Sequence, residues 1–137
     1  MYTFLLHLHS GLRWLVLLAV IIAVLKSLVG FFGGGDYKKF DKIVAVSFVG
    51  MMHLQLVIGL VLYFFYSPFV TYDMTDPNSR FWSVEHIALM LFAIAAAQIG
   101  RSISKKTQDA QVKFRFQSIF FGISLVLMLL GIPWNRV

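Results

Sequence analysis

The sequence predicts an all-α fold, a bundle of four transmembrane helices running up-down-up-down with both termini outside the cytoplasm. Three observations predict it. Hydrophobic residues make up 59% and charged residues 13% of 137 positions, against roughly 45–50% and about 25% in soluble domains. That is apolar material for about four bilayer-spanning helices of ~20 residues each, and more than a soluble globule of this length can hide. The apolar residues also fall into four stretches, each ended by charge, Gly or Pro. Lastly, the basic residues are shared unequally between the two sides those stretches define.

The first stretch runs from about Thr3 to Phe32 and the second from about Ile43 to Tyr66. The third covers about Phe81 to Gly100 and the fourth about Phe114 to Trp134, so residues 1–137 form one transmembrane domain. The first is longer than a ~30 Å hydrocarbon core requires, which implies tilt or an end standing in the headgroups. Its first charge is Arg13 and no small-residue cleavage pattern follows it, so it is expected to stay in the mature protein. Gly33-Gly34-Gly35 is the expected flexible corner. Ala93, Ala96, Ala97 and Gly100 give the third helix small residues that let a neighbour approach.

Lys26, Lys38, Lys39, Lys42, Arg101, Lys105, Lys106, Lys113 and Arg115 lie on one side, against Arg13, Arg80 and Arg136 on the other. The positive-inside rule puts the nine in the cytoplasm and the three outside, with the middle loop, Ser67 to Arg80. Trp14, Trp82 and Trp134, with Tyr2, Tyr66 and Tyr72, gather towards that outer side as interfacial aromatics do. The expected setting is the inner membrane of a bacterium, with the lipid bilayer as the first partner. The net charge of +6 follows from this asymmetry and does not point to nucleic acid. The absence of cysteine excludes disulfides, iron–sulfur clusters, thiolate zinc sites and cysteine nucleophiles. Ser10, Ser47 and Ser83 have no evident base and acid partners, so the chain is not expected to be an enzyme on its own.

Ionisable groups inside a bilayer cost roughly 2.5–3.5 kcal/mol each at the helix centre and call for a reason. Here they are His7, His9 and Arg13 on the first helix, His53 on the second, and Glu85 with His86 on the third. Counting 1.5 Å per residue from each helix centre puts His53 near the midplane, His86 ~8 Å outside it and His9 ~13 Å outside it. Arg13 and Glu85 come out level with each other and are expected to pair as a structural ion pair. His9 and Arg13 share a helix face, whereas His7 points away from His9.

A b-type haem is held by two histidines from different helices in a dry slot, which a four-helix bundle can offer. His86 belongs to both acceptable ligand pairs; His9 is its slightly better partner by height and His53 the alternative. Phe48, Phe64, Phe65 and Phe92, with Gly50 and Gly59, suit a flat apolar guest, and Arg13 or Arg80 would meet its propionates. A histidine-only metal site, a quinone pocket using a histidine with Arg13 and Glu85, and histidines that merely bond to neighbouring helices are the other readings.

The opening HLHSGLRW, Met52-His53-Leu54-Gln55-Leu56 with Gly59 and Tyr63, and Val84-Glu85-His86 resemble small bacterial four-helix membrane proteins described as cytochrome-b-like. The resemblance covers nearly the whole chain. It implies haem b and a place in respiratory electron transfer, with ligands drawn from His9, His53 and His86. The expected function is therefore haem-mediated electron transfer within or beside a respiratory complex. The alternative is a cofactor-free accessory or scaffold subunit of a larger membrane assembly.

Overall fold

In the computed structural model, residues 1–66 and 72–132 are described, without the side chain of Tyr66. Trp134 and Arg136, expected on the outer side, and residues 67–71 of the middle loop lie outside the described residues. All the regular structure described is helical. Helix α1 is Tyr2–Gly33, and α2 is Lys39–Val61, continued by a widened π-helical turn, Leu62–Tyr66. A single turn, α3 (Pro77–Arg80), leads through a second π-helical turn, Phe81–Glu85, into α4 (His86–Lys106); α5 is Ala110–Gly131. Four helical stretches, Tyr2–Gly33, Lys39–Phe65, Pro77–Lys106 and Ala110–Gly131, are long and apolar enough to cross a membrane.

Local chemistry sets their ends. Gly34 adopts φ 66, the left-handed geometry that closes a helix and that a residue with a Cβ resists. At the start of α2 the Asp41 carboxylate accepts the Lys38 backbone N–H at 2.9 Å, the acidic half of a capping box. Asp76 caps α3 by accepting from the Asn78 N–H at 3.2 Å, with Pro77 in the first turn, where its missing N–H costs nothing. Asp109 does the same for α5 through the Gln111 N–H at 2.9 Å. The second, third and fourth helices therefore begin about four residues before the apolar stretches that reveal them. Hydropathy marks the part of a helix that suits hydrocarbon, and the capped first turns are polar.

Val16, Val20 and Ala23 of α1 pack with Ala45, Phe48, Val49 and Met52 of α2, Ala93, Ile94 and Ala97 of α4, and Phe121 and Met128 of α5. The Phe48 and Phe121 rings meet edge to face at 5.0 Å. Small residues of α4 do bring a neighbour close: a Cβ on Gly100 would stand 2.9 Å from the Cβ of Phe120. Large apolar side chains such as Leu18, Val29, Phe64, Phe65, Phe92 and Leu130 point outwards, as a surface solvated by lipid requires. A buried polar cluster sits at one end of the bundle. Gln117 donates to Ser104 Oγ (3.0 Å) and to the Tyr37 hydroxyl (2.7 Å), and its Oε1 accepts from Ser27 Oγ (3.2 Å).

Candidate functional site

At the other end a cavity of about 430 Å³ opens between the helices, within the size range of small-molecule and cofactor sites. Its floor is apolar, made by Val16, Met52, Ile94 and Met128, and its upper wall carries His9, Arg13, Gln55, Tyr63 and His86. Both π-helical turns stand at its rim: Leu62 and Tyr63 come from one, Trp82 from the other. The Tyr63 hydroxyl donates to the Ser83 carbonyl at 2.6 Å and ties the two turns together. Such widened turns recur at functional sites, because the extra residue per turn re-aims the side chains that follow.

His86 follows directly on its π-turn. Its Nδ1 lies 2.7 Å from the Gly131 carbonyl oxygen. A carbonyl only accepts, so Nδ1 carries the proton and Nε2 keeps its lone pair. His9 faces it from α1, with ring centres 6.4 Å apart and planes at 82°. Gly59 makes room for His9, since a Cβ there would stand 3.0 Å from Cε1 of the imidazole. Gln55 Nε2 donates to the His9 carbonyl at 2.7 Å and fastens α2 to α1 at this level.

Three buried side-chain atoms among the described residues lack a hydrogen-bond partner: His9 Nδ1, Arg13 Nε and Gln55 Oε1. All three residues line this one cavity. Unpaired buried polar atoms cost about 1–3 kcal/mol each, so their gathering in one place marks a wall built to face a polar group.

The other expected residues make different contacts. His53 is on the lipid-facing side, where its Nε2 donates to Gln98 Oε1 at 2.9 Å, and Gln98 donates in turn to Ser102 Oγ at 3.1 Å. His7 lines the cavity but is itself exposed. The expected Arg13–Glu85 pair is not formed: Glu85 accepts from Arg80 Nε at 3.1 Å, both side chains being about half exposed. The two are five residues apart across the turn Phe81–Glu85, and a π-helix brings i and i+5 together, so Glu85 finds a local partner. Arg13 instead lays its guanidinium over Trp14, 4.6 Å from the ring centre. Phe48 is core, Phe64, Phe65 and Phe92 face outwards, and Gly50 meets nothing, so none of these five shapes the cavity. Among the described residues, no group of three or more His, Cys, Asp or Glu side chains gathers to hold a metal ion.

Sequence reasoning does not reach the role of Gln55 or the two π-turns. A glutamine four residues before Gly59 is a weak signal, and nothing in composition announces a π-turn. Comparison with family models, curated proteins and solved structures finds no match for the chain.

Proposed function

We propose that this protein is a b-type cytochrome-like electron carrier of a bacterial inner membrane, working within or beside a respiratory complex, in which His9 and His86 would hold the haem. One observation carries the reading: two imidazoles from different helices face each other across a cavity whose wall holds the three unpartnered buried atoms. Their ring centres are 6.4 Å apart, close enough for both to reach one group bound in the cavity. His9 and His86 would hold the haem, which when bound would supply a one-electron couple.

The chain's own residues do the rest. The Gly131 carbonyl fixes the tautomer and orientation of His86 and raises the basicity of its free nitrogen, as outer-sphere acceptors do for ligating histidines. Arg13, with an unsatisfied Nε–H on the cavity wall, suits a carboxylate such as a propionate. Val16, Met52, Ile94 and Met128 keep the floor dry, and a low dielectric there favours whichever redox state carries less charge. The unsatisfied set also pairs a donor, Arg13 Nε, with an acceptor, Gln55 Oε1, which suits the head of a quinone or quinol as a second reading.

The orientation belongs to the same proposal. Lys26 near the end of α1 pairs with Asp41 at the start of α2 at 3.1 Å. His86 at the start of α4 bonds to Gly131 at the end of α5. End-to-start contacts of this kind support an up-down-up-down order, and the basic asymmetry supports termini outside the cytoplasm.

The test is a visible absorption spectrum of the purified protein, oxidised and dithionite-reduced. A reduced low-spin b-type spectrum, one haem per chain, is expected. A haem-free protein that takes up no added haem would overturn the reading and leave the accessory subunit.

A further inference from the structure

A second cavity, of about 320 Å³, lies at the opposite end of the bundle from the histidines. Lys38, Lys39 and Lys42 reach it from the start of α2, Arg101 and Lys105 from the end of α4, and Lys113 from α5. Tyr37 completes the wall, and no carboxylate lines it. The ion pairs among the described residues are Lys26–Asp41 and Arg80–Glu85, so none of these six cations is neutralised by an acid. The positive-inside rule asks only that basic residues lie on one side of a membrane. It does not ask six of them, from three helices, to converge on one hollow against their mutual repulsion.

The hollow is supported from beneath. Gln117, 2% exposed, donates to the Tyr37 hydroxyl and to Ser104 Oγ. The Lys113 ammonium donates to the Ser104 carbonyl and lies over the Tyr37 ring, 5.1 Å from its centre. Asp41, close by, is engaged by Lys26 and by the Lys38 N–H, and Asp109 by the start of α5. The N-terminal end of α2 adds its positive dipole to the same space. Several lysines and an arginine around a concavity at a bilayer surface form a receptor for a phosphate group, as basic pockets between transmembrane helices do for anionic lipids.

We propose that this cavity binds a phosphate-bearing anion, with Arg101 and Lys105 of α4 closing on it opposite Lys38, Lys39 and Lys42 of α2. The phosphate comes either from an anionic lipid headgroup of the adjoining leaflet or from a soluble phosphate compound. The site is independent of the histidine cavity and stands whether or not haem binds there.

The experiment uses the full-length protein in a neutral detergent and measures binding of phosphatidylglycerol and phosphatidylcholine by native mass spectrometry, with inorganic pyrophosphate as competitor. Phosphatidylglycerol held at least tenfold tighter than phosphatidylcholine and not displaced by pyrophosphate identifies a lipid headgroup. Pyrophosphate that binds and displaces the lipid identifies a soluble anion. The double variant Arg101→Gln with Lys105→Gln is expected to weaken binding at least fivefold. Lys106→Gln with Arg115→Gln removes the same charge away from the cavity and is expected to leave binding within twofold. Equal binding of both lipids without pyrophosphate binding overturns the proposal. So does an equal loss in the two double variants, which would show diffuse attraction instead of a site.

Discussion

The imidazoles of His9 on α1 and His86 on α4 face each other with ring centres 6.4 Å apart and planes at 82°. Both line the same cavity, while His53 bonds to Gln98 away from it. The separation gives a sharp expectation for variants. In protein loaded with haem b, His9→Ala and His86→Ala should each abolish the low-spin bis-histidine spectrum, whereas His53→Ala should keep it. Full low-spin absorption in His86→Ala would remove the assignment.

How much of this the sequence could carry depends on the direction asked about. Height along a helix is legible, because rise per residue is constant; spacing alone brings His86 and His9 to within ~5 Å of each other in depth. Rotation about the helix is not. In a soluble helix the apolar stripe shows the buried face, but here lipid and core are both apolar, so Leu54 outside and Met52 inside look alike. His53 could therefore be placed at the midplane and not on a face. The Arg13–Glu85 expectation failed for another reason, because the π-turn supplied Arg80 as a local partner. The basic residues were legible one by one; their convergence on a cavity required the packing of α2, α4 and α5.

Arg80 and Glu85 form an exposed pair, and exposed pairs contribute about 0–1 kcal/mol. Glu85→Gln is thus expected to lower unfolding stability in detergent by less than about 1 kcal/mol. A double-mutant cycle of Arg13→Gln with Glu85→Gln should be additive within about 0.5 kcal/mol. A coupling well above that would mean that Arg13 engages Glu85 after all.

The topology expected from the basic asymmetry can be tested cleanly, because the chain has no cysteine. Thr75 is exposed in the turn that leads into α3. Thr75→Cys should react with an impermeant thiol reagent on intact spheroplasts, and Gly35→Cys only after the membrane is opened. The reverse pattern would invert the orientation.

Glycines separate packing from propensity. A Cβ on Gly30 would run into the buried ring of Phe114, and one on Gly100 would stand 2.9 Å from the Cβ of Phe120. Gly30→Ala and Gly100→Ala are expected to cost about 1–3 kcal/mol, as overpacking does. Gly122 meets nothing within 4 Å, so Gly122→Ala should be neutral or gain up to about 1 kcal/mol from helix propensity. Denaturation by SDS in mixed micelles measures all three, and equal effects would show that α1–α5 and α4–α5 do not pack this closely.

Tyr37 gives a pH dependence outside the membrane-spanning stretches. Burial pushes its phenol above the ordinary range, partly offset by the hydrogen bond from Gln117 and by the positive charge of Arg101. The folded protein therefore holds this proton to higher pH than the unfolded chain does. Between the two pKa values the unfolded state binds fewer protons, so stability falls as pH rises. The contribution is complete below about pH 10, where an unfolded tyrosine titrates, and is lost as pH climbs through the folded value. Thermal unfolding in detergent from pH 8 to 12 should show the wild type losing stability more steeply above pH 10 than Tyr37→Phe. Every other group that titrates in that range is common to both proteins, so only the difference between the curves is diagnostic. Parallel curves would mean that the Tyr37 phenol is as free to ionise in the folded bundle as in the unfolded chain.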